Sequence, residues 1–183
     1  VESPFHMICV EADQSPKRQW EEILSYMETS NKEDLSSLAK KAEGDLLLTP
    51  LAIVCSDGPV SVIQAVLEVE PDAALIPDRY GELPIHRAAL SHRKEGNEAV
   101  FSLLSNAKPE SLTVVDKYGR TPLHCALHAL QSLFGRRGMP SMDVIKILIG
   151  NGETLLIKDK KGNTPAMIAT KAENSPVELL ELL

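Results

Sequence analysis

DKYGRTPLHCAL, residues 116–127, gathers several chain-turning signals in twelve positions. Asp116 and Gly119 bracket a tight turn, and Gly119 stands where such a turn needs a positive φ. Thr121 before Pro122 starts a helix. The threonine hydroxyl can cap it, and proline suits the first helical position because it has no N–H to donate. The second half of the stretch recurs as SPFHMIC from Ser3, TPLAIVC from Thr49, LPIHRAA from Leu83 and TPAMIAT from Thr164. A second phrase, apolar-x-x-apolar-apolar, follows each copy. Its members are Trp20/Ile23/Leu24, Ile63/Val66/Leu67, Val100/Leu103/Leu104, Ile145/Leu148/Ile149 and Leu179/Leu182/Leu183. That spacing places one apolar stripe on a helix. Asp-x-x-Gly precedes three copies, as DRYG at Asp78, DKYG at Asp116 and DKKG at Asp159.

Turn, T-P-L-H-x-A phrase and second helix, in that order, resemble the ankyrin repeat, whose period is about 33 residues. The resemblance implies an all-α fold, an ankyrin-repeat solenoid of stacked helix-turn-helix units with short β-hairpin turns. The chain is expected to be a single array over 1–183, with repeats near 3–30, 49–77, 78–115, 116–158 and 159–183. The phrase prolines Pro4, Pro50, Pro84, Pro122 and Pro165 are spaced more widely than the family period, which predicts insertions near 28–48 and 129–141. In the first insertion Leu35, Leu38 and Ala42 are spaced for one short helix. DLLL from Asp45 stands where Asp-x-x-Gly is expected, so the hairpin there is expected to be remodelled. Leu83 replaces the capping threonine of the third repeat and predicts a weaker cap. A start without Met and an apolar end, ELLELL, predict a segment of a longer protein.

Composition narrows the function. The formal charge of −7 disfavours nucleic-acid binding, which normally shows a basic face. The acidic excess lies before residue 76, and the rest of the chain is slightly basic. Three cysteines, Cys9, Cys55 and Cys125, are too few and odd in number for a disulfide framework, and predict a reducing, cytoplasmic or nuclear setting. Cys9 and Cys55 share a repeat position. Stacked helices stand roughly 8–10 Å apart, beyond the limit of about 7 Å between the Cα atoms of a disulfide, so no bond between them is expected. No apolar run reaches the roughly 18 residues of a membrane span, so no membrane insertion is expected.

No nucleotide-binding glycine loop, nucleophile elbow or kinase signature is present, and no enzyme activity, cofactor, metal or small-molecule substrate is expected. His6, His86 and His124 share one repeat position, and the resemblance implies that this histidine ties neighbouring turns together. His124 and His128 have metal-pair spacing but no third ligand in a recognisable motif. The resemblance also implies protein binding through turn tips and the concave helix face. The tips here are Arg79, Tyr80 and Glu82; Lys117, Tyr118 and Arg120; Lys160, Lys161 and Asn163. Tyrosine beside arginine and lysine suits an interface hot spot, and the positive charge predicts an acidic or phosphorylated partner segment. Arg87, Ser91 and His92 on the third repeat's first helix, and Arg136-Arg137 in the second insertion, are further candidates. The alternative is a structural or regulatory scaffold segment making contacts inside a larger protein.

Overall fold

A computed structural model describes residues 16–42, 44–91, 97–128, 140–171 and 176–183. The described residues are mostly helical and contain no strands. Each Pro-containing phrase opens a short helix: α3 (Pro50–Asp57), α5 (Pro84–Leu90), α7 (Pro122–His128) and α9 (Pro165–Lys171). Each second phrase forms its companion: α1 (Pro16–Thr29), α4 (Val60–Val69), α6 (Asn97–Ala107), α8 (Met142–Ile149) and α10 (Val177–Leu182). The first phrase, from Ser3, lies outside the described residues.

The two kinds of helix form two layers. In one, α3 packs on α5, α5 on α7 and α7 on α9; in the other, α1 packs on α4, α4 on α6 and α6 on α8. The apolar stripe of each companion helix points between the layers. Ile23, Ile63, Val66, Val100, Leu104, Ile145 and Leu148 are fully buried there, against Leu51, Ile85 and Leu123 of the first layer. A helix pair alone leaves one side of this stripe uncovered, and the next pair covers it. Short 3-10 turns, Pro71–Leu75, Pro109–Leu112 and Glu153–Leu156, lead from three companion helices into the following tips.

The first expected insertion contains α2 (Lys32–Lys40), capped by Asn31, whose side chain accepts from the Glu33 N–H at 3.1 Å. Leu35 and Ala39 are its buried residues. Ala42, expected to complete the stripe, lies past the helix end, because the chain turns extended at Lys41. Glu70 clasps α2 to the stack: Ser36 Oγ donates to Glu70 Oε2 at 2.5 Å, and Lys40 Nζ lies 2.8 Å from the same oxygen. Those bonds, Lys40 first, hold the Glu70 carboxyl below its ordinary range. The second expected insertion lies almost wholly outside the described residues.

The expected short β-hairpins are not formed as strands among the described residues; each tip is a five-residue loop. The Asp78 N–H donates to Glu82 O at 3.0 Å, Asp116 to Arg120 O at 3.0 Å and Asp159 to Asn163 O at 2.9 Å. The aspartate side chain takes two further N–H groups of its own loop. Asp116 Oδ1 accepts from Tyr118 at 2.8 Å and Arg120 at 2.9 Å, and Asp78 and Asp159 repeat the pattern. Those groups are then no longer available for a strand ladder. One backbone bond instead joins each tip to the one before it: Arg79 N–H to Leu46 O, Lys117 N–H to Tyr80 O and Lys160 N–H to Tyr118 O, all 2.9 Å.

That register includes the tip expected to be remodelled. Leu46 accepts as Tyr80 and Tyr118 do, so Gly44 occupies the aspartate position and Leu47 the glycine position. Leu47 has φ +54, beside +75 at Gly81 and Gly119. A bulky residue in this region is strained by roughly 1–2 kcal/mol. The first tip therefore keeps the backbone shape without the residues that make it easy.

Gly119 answers a second demand. A Cβ there would lie 2.9 Å from the Lys160 nitrogen, which is held by its bond to Tyr118, whereas a Cβ on Gly162 would meet nothing within 4 Å. Both have left-handed φ, +75 and +80. Gly162→Ala is expected to cost about 1–2 kcal/mol from φ strain, and Gly119→Ala at least about 1 kcal/mol more, since tip-to-tip spacing must give way. Urea unfolding of the two variants measures the difference. Equal losses would mean that the tips are not locked at this distance.

Candidate partner-binding surface

The tips are positioned by two buried histidines. The His86 Nδ1 accepts from the Leu83 N–H at 3.2 Å, and Leu83 itself offers the first turn of the helix no side-chain cap. The His86 Nε2 then carries the proton and donates to Arg120 O in the next tip at 3.0 Å. His124 repeats this one unit on: Nδ1 accepts from the Thr121 N–H at 3.2 Å and hydroxyl at 2.7 Å, and Nε2 donates to Asn163 O at 3.2 Å. Both rings are fully buried. Burial pulls the His86 pKa from 6.5 to about 4 and lowers that of His124 in the same direction, so the neutral form is the structural one. Both nitrogens of His124 are engaged in this way, leaving no lone pair to share with His128 in a metal pair. The His128 Nε2 instead lies 4.0 Å from Asp159 Oδ2. Among the described residues no group of three or more His, Cys, Asp or Glu side chains could hold a metal ion. Cys125 is buried beneath the tips, and burial pushes its thiol up to about 12, which keeps it protonated. Cys9, and with it any pairing to Cys55, lies outside the described residues.

The tip residues divide into an inner and an outer set. Asp78, Glu82, Asp116 and Asp159 are buried, with exposures of 7, 6, 5 and 6%. Arg120 bridges two tips: its Nε and a terminal nitrogen reach Asp116 Oδ2 at 2.7 and 2.6 Å, and the same terminal nitrogen reaches Glu82 Oε1 at 3.1 Å. Arg87 approaches the cluster from α5, 3.7 Å from Glu82 Oε2 and 4.0 Å from Asp78 Oδ2. Burial, and then the charge of Asp78, raises the Glu82 pKa, while Arg87 and Arg120 pull the other way. Glu82, expected on the partner-facing tip, is therefore an internal ion-pair residue, and Arg87 and Arg120 are half-buried around it. Asn163 holds the equivalent place in the last tip, with Nδ2 donating to Asp159 at 3.2 Å and Oδ1 accepting from Lys171 at 2.5 Å.

Arg79, Tyr80, Lys117, Tyr118, Lys160 and Lys161 remain outside, all exposed. Tyr80 and Tyr118 show 38 and 53% of their surface. The Lys117–Tyr80 backbone bond makes their tips neighbours. Each tyrosine ring lies under an arginine: Arg79 is 5.8 Å from the Tyr80 ring centre, and Arg120 4.8 Å from that of Tyr118. Ser91 ends α5, half-buried, while His92, Arg136 and Arg137 lie outside the described residues. Leu47, half exposed, and Lys158 also belong to this edge and were not singled out from sequence. The available signal was positional. The left-handed residue stands two places before the Thr or Leu at the N-cap position of the next helix, so the first tip begins at Gly44 and not at Asp45.

No family model matches the chain, and no curated protein matches it. No described helix is long and apolar enough to cross a membrane.

The histidines set a pH dependence. The unfolded chain takes up a proton on His86 below about pH 6.5, while the folded chain resists until about pH 4. Stability is therefore full above pH 6.5 and falls toward pH 4, by roughly 1.4 kcal/mol per pH unit for one such group. His86→Ala is expected to lower stability at pH 7 and to flatten this fall by one proton's worth. Urea unfolding at several pH values checks it, and an unchanged slope would remove His86 from that role.

Proposed function

We propose that the chain is an ankyrin-repeat array, a non-enzymatic module that binds another protein through its turn tips and the helix face beside them. The observation that carries this reading is the division of the tips. The side chains that hold the tip backbone are buried ones, the aspartates, His86 and His124, while the exposed side chains of Arg79, Tyr80, Lys117, Tyr118, Lys160 and Lys161 make no hydrogen bond to it. The recurrence of turn, Pro-opened helix and companion helix supports the family, with three tips of one hydrogen-bond pattern and a fourth that keeps the shape with Gly44 and Leu47. Exposed tyrosine stacked with arginine supports binding, since these residue types concentrate interface energy when a partner excludes water from them. The array is a scaffold for contact, and its buried Cys125 and neutral histidines serve packing and tip alignment.

Affinity enrichment from a cell lysate tests the reading, with the native chain as one bait and the Tyr80→Ala/Tyr118→Ala variant as the other, both first shown to melt alike. Partners captured by the first and lost by the second are expected. Equal capture would move the site to the helices. No reproducible capture by either would favour a structural segment whose tips are covered by other parts of a larger protein.

A further inference from the structure

The charge on the tip edge is sorted more sharply than composition suggests. The chain carries a formal charge of −7, yet every acidic side chain of the last three tips points inward: Asp78, Glu82, Asp116 and Asp159 are each at most 7% exposed. The position just after the tip aspartate is Arg79, then Lys117, then Lys160, all exposed. Each of these residues donates its own N–H to the preceding tip, at 2.9 Å in all three cases, so the three cations occur once per tip at equivalent backbone positions. In the first tip the same position is Asp45, exposed and acidic. The cationic row therefore has a defined beginning at Arg79 and strengthens toward the last tip, where Lys158 and Lys161 flank Lys160.

Spacing limits what can lie along such a row. Stacked helices, and hence the tips they carry, repeat at about 8–10 Å. A peptide in the polyproline II conformation advances about 3.1 Å per residue with three residues per turn, so every third side chain falls on the same face, about 9 Å apart. A nucleic-acid strand would bring two uncompensated phosphates between each pair of cations, against a chain whose formal charge is already −7. We propose that the tip edge binds an acidic peptide in the polyproline II conformation whose carboxylates recur at every third residue, one each against Arg79, Lys117 and Lys160. Tyr80 and Tyr118 pack beside the intervening residues, and Asp45 repels any acidic continuation past Arg79. This rests on the tips being the binding surface, and specifies the ligand that fits them.

Fluorescence anisotropy on the native chain tests it with two labelled decapeptides of identical composition. One has aspartates at every third position, and the other has the same three aspartates adjacent. The spaced peptide is expected to bind about tenfold tighter, a difference of about 1.4 kcal/mol. Lys117→Glu is expected to abolish that preference, and Lys32→Glu, an equal charge change at the exposed start of α2, to leave it intact. Equal affinity for both peptides, or equal loss in both variants, would reduce the effect to net charge and overturn the proposal. So would tighter binding of a single-stranded oligonucleotide or of vesicles containing phosphatidylserine. Tyrosine-dependent capture from lysate alongside no peptide binding would overturn the acidic ligand and spare the tip surface. Loss of both would overturn the surface as well.

Discussion

The carbonyl of Arg120 receives two hydrogen bonds, one from the Asp116 N–H that closes its own loop and one from His86 Nε2 in the preceding unit. The rest of the stack depends on this shared acceptor. The first bond fixes the shape of the tip, and the second fixes where that tip sits over the helix before it. Asn163 O repeats the arrangement with Asp159 and His124. A neutral ring is required, since one nitrogen must accept from the helix start while the other donates forward. Burial enforces that state by penalising the charged imidazolium. Packing between the helix layers supplies the bulk of the cohesion, but it is not directional. The histidine–carbonyl bonds give the stack its register.

Much of this was legible in the sequence because it depends on residue types with few substitutes. Gly81, Gly119 and Gly162 mark left-handed positions, and Pro50, Pro84, Pro122 and Pro165 open helices. The apolar-x-x-apolar-apolar phrases face the interior. Other features were not legible, for separable reasons. Leu47 adopts the glycine conformation because its neighbours in space hold it there, a tertiary effect that overrides local preference. Glu82 reads as a surface residue until Arg87 and Arg120, the latter 38 positions away, come to meet it. Ala39 rather than Ala42 faces the core because the helix ends at Lys40, a boundary that spacing alone leaves open by a few residues.

The candidate surface shows the same split. Sequence position placed Arg79, Tyr80, Lys117, Tyr118, Lys160 and Lys161 on tips, and the structure exposes all six. It could not separate them from Glu82, Arg87 and Arg120, because distance along the chain carries no information on which way a side chain turns at a tip. The decisive variable is the buried carboxylate beside each one. Where a carboxylate is within reach, as for Arg120, the cation turns inward and costs less to desolvate. Arg79, Lys117, Lys160 and Lys161 stay in water.

The close approach of Gly119 to the Lys160 nitrogen has a bearing on recognition that stability alone does not convey. Loops that bind usually wander, and a ligand must first freeze them, which weakens association. Here the loop backbone is already frozen by its neighbour, with no space for it to drift toward the next tip. Only side-chain rotation remains to be ordered when something docks. The edge therefore resembles a ruler more than a hand: its marks stay at fixed intervals, and selectivity falls to how well the spacing of a ligand agrees with them.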